Sequence, residues 1–121
     1  AYKNEGINIW GVTVENEPLG NNNNWESMHF TPEEMTTFVK DFLGPHLAKN
    51  GLDSIKILGY DQNRGEELVN WANVMYKDEA SSKYFDGMAV HWYASTYDFF
   101  PASLQHTHKL APNKYLINTE A

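Results

Sequence analysis

Apolar runs ending in polar clusters divide this chain. Positions 7–14 hold Ile7, Ile9, Trp10, Val12 and Val14 with no charge before Glu15, the make-up of a strand covered on both faces; Pro18 closes it, because proline cannot donate to a ladder. The run 55–60 (IKILGY) predicts a second buried strand, 88–90 a third and 114–119 (KYLINT) a fourth. Between them the apolar positions switch to helical spacing. Thr31, Pro32 and Glu34 supply an N-cap, a first-turn proline and a capping-box acid for a helix carrying Met35, Phe38, Val39, Phe42 and Leu43. Gly44 and Pro45 predict a kink or interruption, and Asn50 with Gly51 an end. Leu68, Trp71, Ala72, Met75 and Tyr76 form the stripe of a second helix over about 66–76, residues 78–84 a further short turn, and 101–110 a weaker helix ended by Pro112.

Strand and helix therefore alternate, which implies βαβ crossovers and a parallel sheet in an α/β fold. Each strand also ends in groups capable of chemistry: Asn16 and Glu17 after the first, Asp61 to Arg64 after the second, His91, Trp92 and Tyr93 after the third, Glu120 after the fourth. An open doubly wound sheet and part of an eight-stranded (β/α)8 TIM barrel both fit the alternation. The barrel is favoured because an open sheet binds mainly at one switch point, whereas a barrel places function at the carboxyl end of every strand.

Composition narrows the partners. The 121 residues are one domain's length at most, and 41% hydrophobic content supplies a core. Sixteen acidic against nine basic residues, net -7, argue against a nucleic-acid partner, whose affinity rests on clustered Lys and Arg. No cysteine is present for disulfides or thiolate metal sites, and no apolar run reaches transmembrane length. The chain opens at Ala1 without an initiator Met and stops directly after Glu120, which predicts a single incomplete domain over 1–121.

Two carboxylates, Glu17 and Glu120, end the first and last strands and would face each other across a curved sheet's mouth. Such a pair suits glycoside hydrolysis, where one group attacks the anomeric carbon and the other protonates the leaving oxygen. Trp25, Trp92, Tyr93, Tyr97 and Phe99 offer flat faces for sugar rings. Each assignment has a plainer alternative. Glu17 can be a solvated loop acid, and Glu15, two residues away on the same side of an extended strand, is its rival; the neighbouring Asn16 and Pro18 favour Glu17. Asp61 can cap the following helix, His91 can be a satisfied core histidine, and Trp92 can simply pack. His106 and His108 diverge when two apart on a helix, so they read as structural or exposed rather than as metal ligands. Trp25 and the four asparagines before it can face substrate or solvent.

The ordered motifs INIWGVTVENEP, ILGYDQNR, FDGMAVHWY and LINTEA resemble strands four to seven of clan A glycoside hydrolases, and more narrowly family 30, the glucosylceramidase and β-1,6-glucanase group. The resemblance implies a (β/α)8 barrel and a retaining double displacement without cofactor or metal. It further implies Glu17 as acid/base, Glu120 as nucleophile, Asn16 on the sugar's 2-hydroxyl, Tyr93 on a catalytic carboxylate, and Asp61, His91 and Trp92 lining the sugar subsite. Where relatives often carry His after the aspartate this chain has Gln62, so that ring's role does not carry over. The expected substrate is a β-linked glucan or glucoside; a xylan-directed relative, a non-catalytic sugar-binding barrel and a ligand-free structural segment are the alternatives. The family also implies a secreted, periplasmic or lysosomal-type setting. The remaining barrel strands are expected to be needed for closure, leaving residues 1–121 inactive alone.

Overall fold

The computed structural model describes residues 2–20 and 26–121. Trp25 and the asparagines Asn21 to Asn24, for which a substrate-facing role was one reading, lie outside the described residues. A 3-10 turn, Tyr2–Glu5, precedes β1 (Gly11–Thr13). Then come α1 (Pro32–Phe38), a π-type segment Val39–Leu43, α2 (Gly44–Lys49), β2 (Lys56–Asn63), α3 (Glu67–Lys77), α4 (Glu79–Ser82), β3 (Gly87–His91), α5 (Pro101–Leu110) and β4 (Tyr115–Glu120).

The capping signals act as the residue types require. Thr31 accepts from the Glu34 backbone N–H while the Glu34 carboxylate accepts from that of Thr31, satisfying two otherwise orphaned donors, with Pro32 at the first turn. Gly44 and Pro45 do not stop the helix. The strain is absorbed just before them, where the wider turns of 39–43 join α1 to α2. Gly44 is needed for space, since a Cβ there would run into the ring of Tyr84. Asn50 and the left-handed Gly51 (φ 67°) then end α2.

All four strands are parallel and lie in chain order, β1-β2-β3-β4. A doubly wound sheet reverses that order at a switch point, and this one does not, so the arrangement is a half-barrel. Its curl shows in contacts between the two outer strands. In a flat sheet β1 and β4 would lie about 14 Å apart, three strand spacings; here the rings of Trp10, just ahead of β1, and Tyr115, on β4, meet edge to face at 5.3 Å.

On the sheet's convex side Met35, Val39, Leu68, Trp71, Met75 and Phe85 are sealed in one cluster with Met88 of β3. Burial of side chains of this size stabilises by about 1.5–3 kcal/mol each. Gly59 lets α3 approach, because a Cβ there would strike Met75. One expectation is overturned. The first strand is not covered on both faces: Ile7, Ile9, Trp10 and Val12 are 51, 39, 53 and 38% exposed, and the strand shrinks to three residues. β1 is an edge that pairs only with β2 among the described residues, so its apolar run reads as buried without being so here.

Two register shifts interrupt the ladders near the carboxyl ends. Tyr60 and Gln62 oppose consecutive residues of β3, leaving Asp61 as an extra residue; Asn118 and Glu120 do the same, leaving Thr119. Bulges of this kind re-aim side chains.

Candidate active site

The carboxyl ends of the strands converge on one cleft of about 920 Å³, whose lining includes Asn16, Glu17, Tyr93, Phe100 and Glu120. Glu17 lies just past β1 with a left-handed backbone (φ 52°), its N–H bound to the Asp61 carbonyl at 3.0 Å. That conformation turns its side chain inward, where only 9% of the residue is exposed. Glu15, its rival, is occupied elsewhere, accepting from the Met28 N–H at 3.1 Å and pinning the returning loop. Glu120 closes β4 with its side chain 44% exposed. The Tyr93 hydroxyl reaches its Oε2 at 3.5 Å, a long contact.

Between these two carboxylates lies the imidazole of His91, fully buried. Its Nδ1 is 3.3 Å from Glu17 Oε1, and its Nε2 is 3.1 Å from Asp61 Oδ1 and 3.7 Å from Glu120 Oε1. Asp61, itself 5% exposed, also accepts from the Thr119 hydroxyl at 2.7 Å. Three carboxylates thus surround one ring, and among the described residues no Lys or Arg pairs with any of them. No group of three or more His, Asp or Glu side chains among the described residues is placed to hold a metal ion.

Of the anticipated sugar contacts, Asn16 and Tyr93 line the cleft. Asp61 and His91 lie beneath its floor instead, and Trp92 turns to the Arg64 guanidinium, 5.8 Å from its ring centroid. Phe99 takes Arg64 from another side at 5.2 Å, and Tyr97 is 94% exposed, so neither expected platform lines the cleft. Phe100, left-handed at φ 49°, does. His106 contacts Asn73 at 2.9 Å, and His108 is exposed. Sequence reasoning passed over Thr119 and Phe100, and gave Arg64 no role beyond its place in the polar cluster after the second strand. Thr119 follows an apolar run like any strand residue, and its inward turn comes from a bulge that no residue type announces.

The model of the glycosyl hydrolase family 30 TIM-barrel domain matches residues 1–121. The chain belongs to glycosyl hydrolase family 30. Among family relatives, the chain is 40% identical over 124 residues to the lysosomal acid glucosylceramidase of Mus musculus and 39% identical over 126 residues to the putative glucosylceramidase 3 of Caenorhabditis elegans. Each alignment covers 100% of the chain and 24% of the relative, so this family 30 chain spans about a quarter of the length of the curated relatives it matches. The solved endo-beta1,6-glucanase BT3312 superposes with a TM-score of 0.86 at 37% identity, over 99% of the chain and 26% of that structure. The half-barrel seen here is accordingly part of a family 30 TIM barrel.

Proposed function

We propose that the protein carrying this chain is a retaining glycoside hydrolase that cleaves β-glucosidic bonds, of the glucosylceramidase or β-1,6-glucanase kind. The observation that carries the reading is the meeting of Glu17 and Glu120, from the two outer strands, on one cleft and one imidazole. Glu120 is the nucleophile: its exposed carboxylate bonds to the anomeric carbon as the glycosidic C–O bond breaks. Glu17 is the acid/base, giving its proton to the departing oxygen. In the second step Glu17 takes a proton from water, whose oxygen replaces Glu120 at the anomeric carbon. Retention requires the two carboxyl groups about 5–5.5 Å apart, too close for an intervening water. Asn16, exposed at the cleft wall, is the partner for the sugar's 2-hydroxyl, and Tyr93 holds the Glu120 carboxylate.

The test uses the full-length enzyme with a 2-deoxy-2-fluoro-β-glucosyl inhibitor bearing an activated leaving group. Mass spectrometry is expected to find the label on Glu120, and proton NMR of early product a retained anomer. An inverted first product overturns the mechanism, and a label on Glu17 exchanges the roles.

A further inference from the structure

The proton count beneath the cleft floor leads past the two glutamates. Both nitrogens of the buried His91 ring face carboxyl oxygens, and Asp61 Oδ1 already accepts from Thr119. A neutral ring with its single proton on Nε2 would leave a bare Nδ1 opposite Glu17 Oε1. That contact is attractive only if Glu17 carries its proton on Oε1, aimed at the ring and away from the cleft. An acid that serves a leaving group in the cleft must carry its proton on Oε2. Only an N–H at Nδ1 makes every contact a donor–acceptor pair in both states of Glu17. The Nε2–Asp61 contact then holds one further proton between its two atoms.

We infer that His91 is a positioning residue for Glu17. Its Nδ1–H binds Oε1 in both protonation states, so that Oε2 carries the catalytic proton into the cleft, while Asp61, oriented by Thr119, fixes the proton pattern of the ring. The inference rests on the acid/base reading of Glu17. Two features of the fold single out this arrangement. Asp61 and Thr119 are the extra residues of the two register shifts, and they hydrogen-bond to each other although β2 and β4 are separated by β3. His91 has no exposed surface, so neither water nor sugar can replace its partners. The groups facing the ring are Glu17, Asp61, Glu120 and the edge-on Tyr93, whose ring centroid is 6.1 Å away.

Asp61→Asn tests the pattern. The amide oxygen, oriented by the Thr119 hydroxyl, accepts Nε2–H and leaves Nδ1 bare. The assay compares full-length wild type, Asp61→Asn, His91→Gln and Glu17→Gln on an alkyl β-glucoside, whose leaving group needs a proton, and on a 2,4-dinitrophenyl β-glucoside, whose leaving group does not. Both floor variants are expected to lose about 10- to 100-fold in kcat on the alkyl substrate, the size of loss seen when the partners that orient a metal-bound histidine are removed. Glycosylation by the dinitrophenyl substrate, read as the burst, should hold. Equal losses on both substrates would make His91 merely structural and overturn the proposal. If Glu17→Gln shows no leaving-group dependence, the acid/base reading fails, and this proposal with it. Should a variant not fold, wild-type enzyme carrying 15N-histidine decides alone: a protonated Nδ1 at His91 is expected, and a bare Nδ1 refutes the assignment.

Discussion

The two sides of the sheet obey different rules. On the helix side, Met35, Leu68, Trp71, Met75 and Phe85 are sealed at no more than 1% exposure. The backbone beneath them keeps its alternation as far as Gly59. At the mouth, three of the four non-glycine residues with positive φ among the described residues, Glu17, Tyr60 and Asp61, lie side by side, both register shifts occur, and three carboxylates crowd one imidazole. Each left-handed non-glycine residue costs on the order of 1–3 kcal/mol and persists only where its surroundings over-determine it. The sealed side supplies that determination: Tyr60, at the start of the shift, is held by Trp71 at 5.5 Å between ring centroids and by its hydroxyl donating to the Asn63 carbonyl at 2.6 Å. Burial also pushes the Tyr60 hydroxyl's pKa well above the phenol range, keeping it a donor.

The sharpest break between the two sides should come from Glu120→Gln in the full-length enzyme. Turnover is expected to fall by about 10⁴-fold or more, with no covalent glycosyl intermediate and an unchanged melting temperature. A melting temperature lowered by several degrees would mean that the mouth also carries the fold. Trp71→Ala attacks the other side and should cost about 3–5 kcal/mol in denaturant unfolding, with a cavity left under Tyr60. If stability hardly changes, the helix side is not what holds the mouth.

Glu17→Gly separates the two most directly. It removes a buried carboxylate from a cluster of three and places glycine where φ is 52°, so the melting temperature should hold or rise while hydrolysis of alkyl glucosides is lost. A clear loss of stability would show that the Glu17–His91 contact outweighs the strain. The smallest effect lies far from the cleft. Thr31→Ala should cost about 1 kcal/mol through the lost cap. Glu34 is held below its ordinary value of 4.5, first by the Thr31 backbone N–H and then by its hydroxyl. A depressed carboxylate stabilises above its unfolded value, so the capping-box contribution is present above pH 4.5 and lost as pH falls through the lower folded value. Acid titration of wild type and Glu34→Gln should therefore converge.

This division also sets what could be read from the chain. Helix bounds and caps follow from local residue types: α1 at its start, and α3 and α5 at both ends, fall within a residue or two of expectation, as do the last three strands at their amino ends. The barrel reading rested on where functional groups fall, and strand order bears it out. The mouth was only half legible. Glu17 and Glu120 stand out because carboxylates at strand ends have no packing reason to be there, while for Asp61 and His91 a helix-cap and a core reading stood beside the sugar-facing one, and residue type did not choose among them. A shift of one residue in register moves a side chain from one surface to the other, and nothing in DQNR or INTE signals it. The run 7–14 is exposed for a different reason: its residues are those of a buried strand, and among the described residues β1 is the edge of a half-barrel with no further strand to cover it.

The floor contacts join residues far apart along the chain: 74 positions separate His91 from Glu17 and 58 separate Thr119 from Asp61. Closing such loops costs entropy that nearby pairings, such as the capping box or the α3 stripe, do not incur, so during folding these polar contacts form after the helices and ladders that bring them into reach. A chain caught partway, or with β2 and β4 out of register, would hold its helices and much of its core but no Asp61–Thr119 bond and no seated imidazole. On the proposed mechanism, leaving-group protonation is then a property of the finished molecule alone, and in the full-length protein the regain of alkyl-glucoside hydrolysis during refolding should trail the regain of helical circular dichroism.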